Sequence, residues 1–159
     1  MPQIELETII RSDIEICFDL SRSIDLHIIS TAQTNEQAVA GVTSGLINIS
    51  ESVTWEATHF GFRQKLTTEI TAFKRPFYFR DEQIKGAFTF LVHDHFFESQ
   101  GDKVVMKDIF NFKSPLGFIG RIADTFILEK YLTELLVKRN QAIKYFAESG
   151  KWESLLNER

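Results

Sequence analysis

The chain carries one cysteine, Cys17, in 159 residues. A single thiol excludes an intrachain disulfide, and in a short amphipathic segment Cys17 is expected to pack as a small apolar residue. The sequence has no block of lysine and arginine, and its formal net charge is −4. That removes the electrostatic basis for nucleic-acid binding. No apolar run approaches the roughly eighteen residues of a membrane span, and no signal-peptide core is visible. A soluble, reducing, cytoplasmic setting without membrane insertion is the expectation. There is no Gly-x-Gly-x-x-Gly, no Walker loop and no Cys-x-x-Cys, so nothing calls for a dinucleotide, ATP or any other cofactor. No serine sits in a nucleophile-elbow pattern. Repeats, low-complexity tracts and interdomain linkers are also lacking. One domain over 1–150, with a C-terminal tail at 151–159 that frays or adds a last turn, is the reading.

What the chain does have is phenylalanine, fifteen of them, with two Trp and three Tyr. Such a supply suits a pocket wall as well as ordinary β-rich packing. Gln3–Arg11 alternates as a half-buried strand, with Ile4, Leu6, Thr8 and Ile10 on one face. Ser12-Asp13-Ile14-Glu15 has the form of a capping box and opens a short helix. A second short helix is expected from Ser23 to Ile29. Six strand-like runs follow, at about Glu36–Val42, Val53–Phe60, Arg63–Phe73, Phe77–Ile84, Ala87–Glu98 and Lys103–Phe112. After the joint Ser114-Pro115-Leu116-Gly117, apolar residues from Ile119, Ile122 and Phe126 through Leu132, Leu136, Ile143 and Phe146 keep helical spacing. This predicts a helix of roughly 45 Å, which must lie across the sheet to hide its stripe. The class is α+β: antiparallel hairpins with segregated helices. If the sheet is curved, sheet and helix enclose a cavity.

The turns set which faces point inward. A turn at Gly61-Phe62 pairs His59 with Gln64 and Trp55 with Thr68, leaving an opposite face rich in Thr, Glu and Lys. A turn at Gln100-Gly101 pairs His95 with Met106, His93 with Asp108 and Leu91 with Phe110, with Asp94 and Lys107 outside. A one-residue slip would invert these faces. The expectation is that Trp55, His59, His93 and His95 face the concave side, with Asp108 directly across from His93.

These elements, together with Val53-Thr54-Trp55-Glu56-Ala57-Thr58-His59-Phe60-Gly61, the run Gly86-Ala87-Phe88 through His93-Asp94-His95-Phe96-Phe97-Glu98 and the Ser-Pro-Leu-Gly hinge, resemble the SRPBCC superfamily. This is the START-like, birch-pollen-allergen-like helix-grip group, and within it the chain looks like the bacterial ligand-binding, cell-division-inhibitor-like branch. The resemblance spans about Ile4 to Glu148. It implies a seven-stranded curved antiparallel sheet wrapped on a long C-terminal helix, with two short helices after the first strand and a hydrophobic cavity inside. Members of the superfamily bind lipids, sterols, polyketides and other aromatics, and a minority are cyclases or hydrolases.

The expected function is binding of a small hydrophobic or aromatic molecule in that cavity. The wall is expected to include Trp55, His59, Leu66, Tyr78, Leu91, His93, His95, Met106, Asp108, Phe110, Ile122 and Phe126. His93 and Asp108 form the candidate catalytic pair, in which Asp108 orients the imidazole for acid–base work on a carbonyl or hydroxyl. The same pair also reads as ligand recognition, or as a polar cross-strand contact that fixes register. Trp55 is either core filling or a stacking surface. His59, His93 and His95 are a weaker alternative as a zinc site, because their convergence cannot be read from sequence; no metal is the main expectation. His27 reads as a surface histidine that could also meet the pocket. Arg80 and Glu82 are placed on the face of Tyr78, at the cavity mouth or in solvent. Lys138 and Arg139 read as a solvated face. A cyclase, dehydratase or hydrolase using His93 and Asp108 is the second reading. A regulatory interaction module is the third, with Phe88, Phe90 and Phe96 on the outer sheet face as its hint and no protein partner identified.

Overall fold

The structure, a computed structural model, describes residues 2–114 and 124–157. Seven strands form one antiparallel sheet: β1 (Gln3–Ile10), β2 (Gln37–Gly41), β3 (Ser52–His59), β4 (Phe62–Lys74), β5 (Tyr78–Lys85), β6 (Phe90–Gln100) and β7 (Lys103–Lys113). Their spatial order is β1-β7-β6-β5-β4-β3-β2. Between β1 and β2 the chain makes helices α1 (Ile14–Ser21) and α2 (Ile24–Ser30), which carry it from one sheet edge to the other. After β7 a π-helical segment, Asp124–Leu128, runs into the long helix α3 (Glu129–Ser149). The result is a curved sheet wrapped on a C-terminal helix. Pro115, Leu116 and Gly117 of the joint, and Ile119 and Ile122 of the expected helical stripe, lie outside the described residues.

Period-two burial explains the strands. In β7, Val104, Met106, Asp108, Phe110 and Phe112 are buried on one face. In β1, Ile4 and Ile10 are buried while Gln3, Glu5, Glu7 and Ile9 face outward. One member of the β7 row, Asp108, is a carboxylate with no exposed surface. An isolated charge there would be strongly unfavourable, so this carboxylate requires partners.

Two hairpins turn one step away from the expected place. His59 pairs with Phe62 and Trp55 with Leu66, so the turn is Phe60-Gly61. Phe60 and Gly61 both have positive φ, 51° and 80°, as a two-residue turn matching the strand twist requires. Gln100 pairs with Lys103, so the second turn is Gly101-Asp102. His95 therefore sits opposite Asp108, and His93 opposite Phe110. Both corrections shift the pairing by two residues, which preserves which face each side chain occupies.

The helices differ from expectation in smaller ways. α1 begins after Asp13, whose side chain makes no capping bond, so the capping box does not form. Ser23 does cap α2, accepting from the Leu26 amide at 3.1 Å. The tail adds a short helix, α4 (Trp152–Leu156), whose Leu156 is buried.

The apolar interior is divided in two. One cluster joins α1, α2, the C-terminal half of α3 and the sheet around Phe18, whose ring meets Phe73, Phe79 and Phe97 edge-on at 5.3 Å each. The other joins Ile4, Leu91, Phe110 and Phe112 to Leu136, with Leu66, Phe88, Leu128 and Leu132 packed against it. A contiguous core is the usual outcome in a domain of this size. Here residues of both clusters line a hollow.

Candidate functional site

A cavity of about 460 Å³ lies between the sheet and α3. Its apolar wall comes from Val53, Trp55, Leu66, Ile70, Phe79, Leu91 and Phe110 on the sheet, with Leu128, Leu132, Leu135 and Leu136 from the helix side. Phe88, in the turn before β6, also faces this space and meets Phe112 edge-on at 5.9 Å. It is therefore not part of the outer sheet face. Phe90 and Phe96 are, and each is 39% exposed.

Polar groups reach the wall at two stations. The first is buried. His93 and His95 project from β6 beside Asp81 of β5, and all three line the cavity. Asp108, on β7 directly behind them, gathers the network. His93 Nε2 meets Asp108 Oδ1 at 2.8 Å, and His95 Nδ1 approaches the same oxygen at 3.3 Å. Asn140 of α3 donates to Asp108 Oδ2 at 2.7 Å, and Arg139 Nη1 lies 3.4 Å from Oδ1. Arg139 also donates to Asn140 Oδ1 and to the Ser21 carbonyl. On its other side His95 Nε2 meets Asp81 Oδ2 at 2.7 Å. The two imidazoles stack with centroids 3.7 Å apart, and Phe79 covers His95 at 4.0 Å.

The electrostatics follow from burial and partners. Burial pushes His93 down to about 4, with the neighbouring His95 acting the same way, against the pull of Asp108. For Asp108, burial acts to raise the carboxyl, but the hydrogen bonds from His93 and His95 and the charge of Arg139 outweigh it and hold the group well below its usual range. Asp81 is held low in the same way, burial being overcome by the bond from His95. At neutral pH both carboxyls are therefore ionised and the His93 ring is neutral.

The second station is half-buried. His59 Nδ1 and the Tyr131 hydroxyl are 2.7 Å apart, and His27 Nε2 meets Glu36 Oε2 at 3.1 Å. His27 lies on the face of Trp55, with centroids 4.2 Å apart. Burial lowers His59 and raises Tyr131. Burial also works to raise Glu36, yet the nearby His27 brings it below its ordinary value.

The expected wall residues divide by placement. Trp55, His59, Leu66, Leu91, His93, His95 and Phe110 line the cavity. Asp108 lies one layer behind it. Met106 is fully buried in the first apolar cluster, where it accepts from Ser21 Oγ at 3.4 Å. Tyr78 is on the opposite face of the sheet: its hydroxyl donates to Asp94, which Arg80 also grips through two bonds of 2.7 and 2.9 Å. The inward phase of β5 is instead that of buried Phe79 and cavity-lining Asp81. Phe126 is 72% exposed and outside the cavity. Ile122 lies outside the described residues.

Five contributing residues escape the sequence reading: Asp81, Arg139, Asn140, Glu36 and Tyr131. A signal existed for two of them. The buried stripe of α3 runs Leu136, Arg139, Asn140, Ile143, Ala147, so helical spacing demanded inward residues where Arg-Asn stands, and Arg139 is not on a solvated face. Asp81 gave no comparable signal, because the residues of β5 around it, Arg80, Glu82 and Gln83, are polar on both phases. His59 does not join His93 and His95. Among the described residues the set whose ligand atoms converge is Asp81, His93 and His95, all within 4.8 Å of one another.

Comparison with known proteins sets this geometry in a fold. A protein from Thermus thermophilus superposes with a TM-score of 0.70 at 12% identity, covering 89% of this chain and 97% of its own. Major latex-like protein 151 of Panax ginseng gives 0.67 at 15% identity over 92% and 97% of the two chains. A START superfamily protein from Mycobacterium smegmatis gives 0.67 at 11% identity over 96% and 98%. The chain has the START-like helix-grip fold. At these identities the likeness is one of fold alone. No protein-family model matches the sequence, and no curated protein matches it. Among the described residues no helix is long and apolar enough to cross a membrane.

Proposed function

We propose that the protein binds a small hydrophobic or aromatic molecule, of lipid or polyketide type and carrying polar groups, in the cavity between the sheet and α3. The observation that carries this reading is the hollow itself: about 460 Å³, with a largely apolar wall into which the ionisable groups His93, His95 and Asp81 and the pairs His59–Tyr131 and His27–Glu36 project. Ligand sites have this size and this composition. Each 100 Å² of apolar ligand surface removed from water would contribute roughly 2.5 kcal/mol before the costs of association. The polar stations would set orientation, since a ligand that buried them without a hydrogen bond would bind poorly. Trp55, flanked by His27, would offer a flat face to a ring.

A second reading is an enzyme of cyclase, dehydratase or hydrolase type. The observation behind it is that His93 reaches the cavity with a carboxylate holding its other side. Against it, a histidine brought down to about 4 is not protonated at neutral pH and makes a poor general acid. The neutral ring suits ligand recognition better than acid catalysis. The interaction-module reading keeps only Phe90 and Phe96, since Phe88 faces the cavity.

The chain has two tryptophans, so Trp152→Phe leaves Trp55 as the sole indole. Titration of that variant with 2-naphthol, a flat aromatic with one hydroxyl, should give a saturable change in Trp55 fluorescence at one molecule per chain. Adding Leu132→Phe, Leu135→Phe and Leu136→Phe together, which narrows the hollow from the helix side, should weaken it. A non-saturating response, or one unaltered by the narrowed cavity, would count against the binder. Turnover of a bound ester or carbonyl compound that disappears in His93→Ala would favour the enzyme.

A further inference from the structure

We propose that Asp81, His93 and His95 form a site for a divalent transition-metal ion, zinc in the first instance, on the wall of the cavity. The inference goes beyond the ligand-binding reading and does not depend on it.

Two imidazoles and one carboxylate are a donor set that suits zinc and its neighbours in the first transition row. Here the three donors come from adjacent strands. Asp81 on β5 pairs directly with His93 on β6, and His95 is the next inward residue of β6. Their ligand atoms lie within 4.8 Å of one another. Donors about 2.0–2.2 Å from a tetrahedral ion stand roughly 3.5 Å apart, so small side-chain rotations would complete the site without moving the sheet.

The surroundings supply what an isolated trio of donors lacks. Metal-bound histidines ordinarily give their other ring nitrogen to a carboxylate or carbonyl. Asp108 Oδ1 takes this part for His93 at Nε2 (2.8 Å); it also lies 3.3 Å from His95 Nδ1, which Arg139 Nη2 approaches at 3.4 Å. That leaves His93 Nδ1 and His95 Nε2 as the ligand atoms, and the latter is already 2.7 Å from Asp81 Oδ2. An ion would take the place of the proton those two atoms now share. Asp108 is itself fixed by Asn140 and Arg139 from α3. The three donors also line the hollow, so the ion's remaining position would face the cavity, open to water or to an oxygen of a bound molecule. His59, bonded to Tyr131 at the other station, takes no part.

The test is titration of chelator-treated, dialysed protein with Co(II), read by visible d–d absorption, and with Zn(II), read by calorimetry. The expected result is one ion per chain with micromolar or tighter affinity. Asp81→Asn and His93→Gln should each weaken it by about 100-fold or more, and Asp108→Asn by about 10–100-fold, as loss of an orienting partner does. His59→Gln should leave it unchanged. In unsubstituted protein, Zn(II) should shift the ring nitrogen resonances of His93 and His95 but not those of His27 and His59, which keeps the test valid should a variant fail to fold. Binding only at millimolar ion, equal binding by Asp81→Asn, or shifts confined to His27 and His59 would overturn the site and leave the trio as a closed hydrogen-bonded network.

Discussion

The two polar stations of the cavity use the same chemistry in opposite ways. At the buried one, Asp108 has no exposed surface and is touched by His93, His95, Arg139 and Asn140 from two structural layers. At the half-buried one, His59 meets Tyr131 and His27 meets Glu36 as separate pairs. The difference is one of solvent. Where water is excluded, each charge must be answered by protein, so the groups condense into a network that ties β5, β6 and β7 to α3. Where water reaches, pairs suffice, and each can exchange its partner for a ligand at little cost. The buried station therefore fixes the geometry of the hollow, and the half-buried one is free to adapt to what enters.

That contrast can be broken most forcefully at Arg139. Arg139→Met leaves Asp108 and Asp81 without their cation. Removing one partner from a buried ionic network costs about 3–5 kcal/mol, and urea unfolding should register a loss of that size. A loss below about 1 kcal/mol would mean that the network contributes little to folding.

The next effect is pH dependence. His93 is lower in the folded protein, about 4, than in the unfolded chain. The unfolded state thus binds the extra proton first, and stability present above about 6.5 falls as the pH drops toward 4. The slope from one such group is at most about 1.4 kcal/mol per pH unit. Asp108 and Asp81, held low in the fold, add stability present above their unfolded values and lost as acid protonates them in the folded state. His93→Gln should flatten the upper stretch and leave the carboxylate stretch in place, as chemical unfolding at stepped pH would reveal. His59 is shifted in the same direction, but at a more exposed place, so His59→Gln should alter the profile less.

Smaller again is Tyr131→Phe, which removes the hydroxyl beside His59. A single hydrogen bond at a half-buried site is worth about 0.5–1.5 kcal/mol, and thermal unfolding should show a loss within that range. The smallest effect is expected at Phe126, 72% exposed. Phe126→Ser should change stability by no more than about 0.5 kcal/mol and leave 2-naphthol affinity unaltered; a clear loss of affinity would place that ring in the binding path.

The same contrast explains what could be read from the sequence. The fold was legible because its strands alternate cleanly and its long helix carries a stripe, as Val104, Met106, Phe110 and Phe112 or Leu136, Ile143 and Ala147 illustrate. The inward faces of β3, β6 and β7 were legible for the same reason, and they survived a one-residue error at both turns, which moves the pairing by two. Turn position was harder, because Phe60 takes a positive φ beside Gly61, a conformation its side chain does not advertise. The cavity's polar groups were legible where an apolar row made them conspicuous, as with His93, His95 and Asp108. They were hidden on β5, where both faces are polar and Tyr78 took the place that belongs to Asp81. Arg139 and Asn140 were hidden by their type: arginine and asparagine on a helix read as solvated unless the gap they fill in the stripe is counted.

The claim beneath all of this is that the space between Trp55, Leu91, Phe110 and Leu136 is open to a guest. The most direct measurement is the set of nuclear Overhauser contacts between 2-naphthol and the isotope-labelled protein. Contacts from the probe's ring to Trp55, Leu91, Phe110 and Leu136, at one probe per chain, are the predicted result. Contacts only to exposed rings such as Phe62, Phe90 and Phe126, or none at all, would contradict it.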